Sequence, residues 1–284
     1  MAATSQTRTV SVFEPTVTGI PHLRTYLANI WDRRIFIWHM ARTRMKAQHY
    51  DTVGGVIWLL VDPMVLAASL YLIRSVLRPV GNGASAAHTV ANIIMAVTFF
   101  YLVSEIFRGV ATSIVANRNM VLNSAAPRAT YPMVVVMKSC FDFIPSLAVY
   151  LAVHALLGQP WGWSILFCIP VITLMLVLFG LGLGLAFAPL VVFYRDVGSL
   201  IPHITRLWLY VTPVMLTIPE IPKQYLWLFQ LNPLFPFFGM LEQVWLARWP
   251  SPGYFFTALA WVVVVMVVGG VAFLIRERDY AIRL

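Results

Sequence analysis

From Phe143 to Tyr194 every position is apolar or uncharged, and the run ends at Arg195-Asp196. One straight helix over this stretch would be roughly 78 Å long at ~1.5 Å per residue, more than twice the ~30 Å hydrocarbon core of a bilayer. The chain therefore has to fold back. Gly158-Gln159-Pro160 supplies the break, because Gly admits turn geometry and Pro lacks a backbone donor. The pattern predicts one membrane-spanning helix over about 131–157 and another over 164–193. Four further apolar runs predict spans over about 56–73, 90–116, 200–216 and 254–275. Residues 217–252 are apolar and aromatic too, but Pro219, Pro222, Pro233, Pro236 and Pro250 interrupt them. Such a segment cannot span twice without leaving backbone groups unsatisfied in lipid. Two short helices, about 223–231 and 236–247, in a re-entrant hairpin satisfy the constraint.

Ahead of the spans the pattern is different. Residues 1–22 lack an apolar core of signal-peptide type and read as a loose cytosolic tail. Over 23–49, at ~100° per residue, Leu23, Tyr26, Leu27, Ile30, Trp31, Ile37, Trp38, Ala41 and Met45 share one side. Arg33, Arg42 and Arg44 flank that stripe, Lys46 lies opposite, and Arg34 interrupts it and has to snorkel outward. This is the signature of an interfacial helix lying at the membrane surface, with its tryptophans at headgroup depth. The predicted fold class is thus an all-α integral membrane protein: six transmembrane helices, an N-terminal amphipathic helix, and a re-entrant outer hairpin between spans five and six, with residues 50–284 forming the membrane-spanning domain.

Composition agrees. Sixty per cent of the 284 residues are hydrophobic and 11% are charged, against ~25% charged in a soluble domain. The net charge of +9 does not indicate nucleic acid, since the basic residues lie between apolar spans. Placed by span, thirteen Lys and Arg fall on the side of the termini and four on the other, so the positive-inside rule puts both termini in the cytoplasm. Cys140 and Cys168 fall inside apolar runs and read as small buried hydrophobes.

Charges inside spans are costly and are functional candidates by default. Asp62 precedes Pro63 in the first span; it either serves transport or satisfies amides freed at a proline kink. Glu105 and Arg108 are spaced i, i+3 and Lys138 and Asp142 i, i+4, so each set is adjacent on a helix face. They read either as self-neutralising pairs facing a bundle or as a polar pathway. No GxxxxGK[ST], HExxH, CxxC or Asp-x-Asp occurs, and little mass lies outside the apolar runs. No catalytic or metal-ligating set is expected, and uphill transport would draw its energy from a partner or an ion gradient.

Tyr50, Gly55-x-x-Trp58 and Pro63 at the first span, Asn119 with Pro127 or Pro132 after the second, Tyr194-Arg195-Asp196-Val197 after the fourth and Leu231-Asn232-Pro233-Leu234 in the hairpin occur in that order. Over Leu23 to Leu284 this arrangement resembles the membrane subunit of Wzm-type type-2 ABC exporters, which secrete O-antigen, capsule and teichoic acid. It is also similar to the permeases that export lipid-linked galactan in actinobacteria. The resemblance implies a homodimer bound to two copies of a separate ABC ATPase, with no cofactor in this chain and ATP and Mg in the partner. It implies a bacterial inner-membrane location and a lipid-linked glycan as substrate. Asn117, Arg118, Asn119 and Asn123, and Tyr194, Arg195 and Asp196, would be the elbows that meet the ATPase. Arg33, Arg34, Trp38, Arg42, Arg44 and Lys46 would meet lipid headgroups, including the carrier's pyrophosphate. Trp58, Asp62, Tyr71, Glu105, Arg108, Trp208 and Tyr210 are path candidates. Tyr225, Trp227, Phe229, Asn232, Phe235, Phe237 and Phe238 are outer-gate candidates. The competing expectation is an ion-coupled carrier built on Glu105, Arg108, Lys138 and Asp142; a third is an exporter of a drug or small lipid.

Overall fold

The computed structural model describes residues 23–50, 57–77, 84–124, 126–214 and 218–284, and every regular element among them is helical. In chain order these are α1 (Leu23–Asp32), α2 (Arg34–Tyr50), α3 (Trp58–Leu77), α4 (Ala84–Ala116), α5 (Arg118–Asn123), α6 (Thr130–Leu156), α7 (Trp163–Phe193), α8 (Arg195–Val211), α9 (Leu226–Gln230), α10 (Phe235–Trp245), α11 (Pro252–Arg276) and α12 (Tyr280–Arg283). The expected tail over 1–22, the Gly55 bend and the loop at 78–83 lie outside the described residues.

Among the described residues four helices are long and apolar enough to cross a membrane: His88–Ala116, Thr130–Leu156, Trp163–Phe193 and Pro252–Arg276. The expected first and fifth spans are helices as well, with shifted limits. α3 continues through Pro63 and on to Leu77, so Arg74 belongs to its last turn and not to a loop. α8 begins directly at Arg195 and stops at Val211, earlier at both ends than the expected 200–216. Only Tyr194 separates it from α7, with an extended backbone (φ −130°, ψ 93°). The Arg195-Asp196 elbow is thus the first turn of a helix, where Asp196 suits the positive end of the helix dipole.

α4 is the central helix. Its apolar window is 83% buried, packed by α7, α6, α3, α8 and α10. The small residues of α7 serve two neighbours. Gly180 and Gly184 let it approach α4 at Ile106 and Val110, while Gly182 faces the backbone of α11 at Val265 and Met266. Small residues are what bring helix backbones together where lipid offers no hydrophobic drive. The α6–α7 turn forms as expected, with Gly158 at φ +62°, a conformation other residues adopt at a cost.

The N-terminal amphipathic segment is broken at Arg33. The apolar stripe of α2 does not simply face lipid: Ile37 and Ala41 are buried against Val134 of α6, and Trp38 meets Phe141 edge-on at 4.8 Å. Leu23, Leu27 and Trp31 of α1 remain exposed. Arg34 is exposed; it donates to the Trp31 carbonyl and lies 5.5 Å from the Trp31 ring.

Candidate functional site

A cavity of about 130 Å³ opens between α3, α4 and α6 near the end of α2. Its lining includes Asp62 from α3, Glu105 from α4 and Lys138 and Asp142 from α6, with Gln48 and Tyr101 beside them. Charges read separately along the sequence therefore line one open cavity between α3, α4 and α6. Arg108 closes on Glu105 in an i, i+3 ion pair, and Lys138 Nζ lies 2.6 Å from Asp142 Oδ2. Both pairs are local to one helix, which is why the sequence spacing anticipated them. With its three carboxylates and two cations, this set leaves Asp62 as the acid without an ion pair among the described residues.

The pairing allows structural and functional roles to be separated. Removing one member of a buried pair leaves an uncompensated charge and costs about 3–5 kcal/mol, whereas replacing both with apolar groups of similar volume is close to neutral. Lys138→Met is accordingly expected to lower thermal stability in detergent, and Lys138→Met with Asp142→Leu to recover it. If the recovered double variant also transports normally, the pair has no part in translocation.

The elbow residues are presented unevenly. Arg118, Asn119 and Asn123 of α5 are exposed, as are Tyr194, Arg195 and Asp196. Asn117 is turned inward: its side chain accepts from Arg44 and donates to the Ser113 carbonyl at 2.5 Å. Of the headgroup candidates, Arg34, Trp38, Arg42 and Lys46 are exposed and Arg33 and Arg44 half-buried.

A second set of polar contacts, absent from the sequence reading, ties this end together. Glu277, just past α11, accepts from the Tyr26 hydroxyl (2.9 Å) and from the Arg128 backbone N–H (2.8 Å), and the Ala129 N–H donates to Tyr26 (3.2 Å). Burial pushes both the Glu277 carboxyl and the Tyr26 hydroxyl above their ordinary pKa values, and the Glu277 charge raises Tyr26 further. Tyr26 is held as a neutral donor. Three chain segments thus converge on one carboxylate.

At the opposite end Asn232 saturates its side chain. Its amide donates to Thr212 Oγ1 (3.0 Å) and the Val211 carbonyl (3.3 Å), while its oxygen accepts from Trp208 Nε1 (2.9 Å) and the Leu234 N–H (3.0 Å). Asn232 is 4% exposed, and it joins the end of α8 to the segment between α9 and α10. Asn232→Leu strands these donors and acceptors at ~1–3 kcal/mol each; a large drop in melting temperature is expected, and a change within error would show the network contributes nothing. Trp208 is committed to this contact and to edge-on packing against Phe100 and Phe107. Among the other path candidates, Trp58 and Tyr210 are exposed and Tyr71 is half-buried. The hairpin aromatics divide likewise. Phe235, Phe237 and Phe238 are in the core, with Phe237 5.5 Å from Phe179, while Tyr225 and Trp227 are exposed and Phe229 is half-buried.

A further link joins α3 to the hairpin. Arg74 Nη1 and Nη2 meet Glu220 Oε2 and Oε1 at 3.0 and 2.6 Å, a two-pronged ion pair with Arg74 only 7% exposed.

A bundle of long apolar helices with a charged cavity between three of them, and short exposed helical turns at one end, is the architecture of an integral membrane protein. The chain belongs to the ABC-2 type transporter family, whose profile matches residues 36–246. This agrees with the resemblance carried by the motifs at Gly55–Pro63, Asn119, Tyr194–Val197 and Asn232-Pro233. An O-antigen export system permease protein, RfbA, from Klebsiella pneumoniae is 25% identical over 194 residues, covering 67% of this chain and 72% of that protein. A second RfbA from the same organism is 25% identical over 198 residues, with the same shares.

Proposed function

We propose that this chain is the membrane-spanning subunit of an ATP-driven exporter that moves a lipid-linked polysaccharide, of galactan or O-antigen type, across the bacterial inner membrane. The observation that carries the reading is the family match over 36–246, joined to relatives named for O-antigen export. In this reading two copies form the path, and two copies of a separate ABC ATPase bind ATP and Mg and drive it. α3 and α8 complete six spans, residues 217–252 dip into the outer leaflet as a gate, and both termini are cytoplasmic. The exposed Arg118, Asn119 and Asn123 and the exposed Tyr194, Arg195 and Asp196 supply the contacts through which nucleotide-driven closure moves the helices.

Replacing Arg195 and Asp196 together by Ala tests the coupling role. The variant is expected to reach the membrane in normal amount yet to lose about tenfold or more in ATPase capture, on the scale of truncated interface hot spots. Undiminished capture and export would remove the elbow from the mechanism. Export with Arg33 and Arg34 both changed to Gln tests the pyrophosphate contact in the same way.

The charged cavity supports a second reading, an ion-coupled carrier. The two predict different outcomes: a protonophore stops a carrier while ATP remains plentiful, and a carrier reconstituted alone transports without an ATPase.

A further inference from the structure

On α8 the buried face is made by Ile201, Thr205 and Leu209. At ~100° per residue, Ser199, His203, Arg206 and Tyr210 fall on the opposite side, and all four are exposed. Leu200, Ile204, Leu207 and Val211, also exposed, form an apolar stripe beside them. A polar stripe with an arginine, pointing away from its own bundle, is the wrong surface to show to lipid.

Two contacts fix its depth. A Cβ on Gly198 would lie 3.9 Å from Thr112, and the Trp208 ring is 6.4 Å from both Phe100 and Phe107. α8 therefore runs antiparallel to α4. Two residues before Trp208 on a helix rising ~1.5 Å per residue, Arg206 comes level with Glu105. Asp62 lines the same cavity as Glu105, so it occupies this layer too, presented from α3. Neither Asp62 nor Arg206 has a hydrogen bond or ion pair among the described residues, because Arg108 and Lys138 are taken by Glu105 and Asp142. Asp62 and Arg206 are both exposed. Charged side chains at such depth face a bundle interior or water, or pair with one another.

We propose that a second copy of this chain covers both: Asp62 of one copy pairs with Arg206 of the other, with His203 alongside, where the exposed faces of α3 and α8 meet. A two-fold interface makes each such contact twice, so the polar layer of each copy is continued into its neighbour and two ion pairs bridge the copies. The inference rests on the two-copy reading above, and opposite charge at one level on two uncovered helices is what selects the pairing.

The test uses the full chain co-expressed with its ATPase in membranes, with Cys140 and Cys168 changed to Ser. One tagged copy carries Asp62→Cys and a differently tagged copy Arg206→Cys, and a short bis-methanethiosulfonate is added. A doubly tagged dimer is expected, with none from either cysteine alone. Absence of that dimer, or efficient linkage within one chain carrying both cysteines, overturns the pairing. Mixed pull-down of the two tags without cysteines reports separately on the two-copy reading: if the copies co-purify and the linkage fails, only this inference falls. Charge exchange gives an independent readout. Asp62→Arg and Arg206→Asp are each expected to lower export about tenfold or more and the combination to restore most of it; a combination no better than either alone also overturns the pairing.

Discussion

Gly269→Ala is expected to dismantle the packing of α7 against α11, although it adds a single methyl group. A Cβ at residue 269 would lie 1.9 Å from the Gly182 carbonyl oxygen and 2.9 Å from its carbonyl carbon. That oxygen belongs to backbone, so no side-chain rotation makes room. The reciprocal position is equally closed, with a Cβ on Gly182 falling 2.7 Å from the Val265 carbonyl carbon. The two helices have to move apart along one of the most extensive contacts of the fold. The loss is about 3 kcal/mol or more, at or beyond the upper end of overpacking costs. Gly270 is the internal control, since a Cβ there meets nothing within 4 Å. Melting of the detergent-solubilised protein, followed by size exclusion, is expected to show Gly269→Ala strongly destabilised and Gly270→Ala unchanged. Equal behaviour of the two would mean α7 and α11 do not cross at this point.

Arg74→Ala is expected to be comparably severe for a different reason. The guanidinium at the end of α3 grips both oxygens of Glu220, and at 7% exposure it has no water to replace that partner. Truncating it leaves a carboxylate that is only 26% exposed, and breaking such a pair costs about 3–5 kcal/mol. The hairpin at Ile218–Gln230 then loses its tie to α3. Arg74→Lys keeps the charge but not the two-pronged geometry, so an intermediate melting temperature is expected. Arg74→Met combined with Glu220→Met should recover much of the loss. Proteolysis within 218–230 provides the local readout: faster cleavage in Arg74→Ala, and wild-type rates in the double variant. An Arg74→Ala protein with unaltered melting and cleavage would show that the ion pair does not hold the hairpin.

What was legible in the sequence was local. The uncharged run after Phe143 demanded a turn, and Gly158 makes it. The pairs Glu105–Arg108 and Lys138–Asp142 were visible because their partners lie within one helical turn. Long-range partners were not: Arg74 and Glu220 are 146 residues apart, and Tyr26 and Glu277 are 251 apart. No spacing rule connects such residues. Helix limits erred where a charge interrupts the apolar signal, as at Arg74 and Arg195, because a charged side chain does not end the backbone hydrogen bonding of a helix. The orientation of apolar side chains was hidden for another reason. Lipid and protein interior are equally greasy, so composition cannot tell Phe237 and Phe238, which lie in the core, from Trp227, which is exposed. The polar stripe of α8, by contrast, is readable from the helical spacing of positions 199, 203, 206 and 210.

The hydrogen bonds at Glu277 carry an implication for biosynthesis. Tyr26 leaves the ribosome long before its acceptor exists, and the Arg128 amide waits as well. The packing of Ile37 and Ala41 on Val134 can form once α6 has been made, whereas the bonds to Glu277 close only after α11 has followed, so this end of the molecule is sealed last.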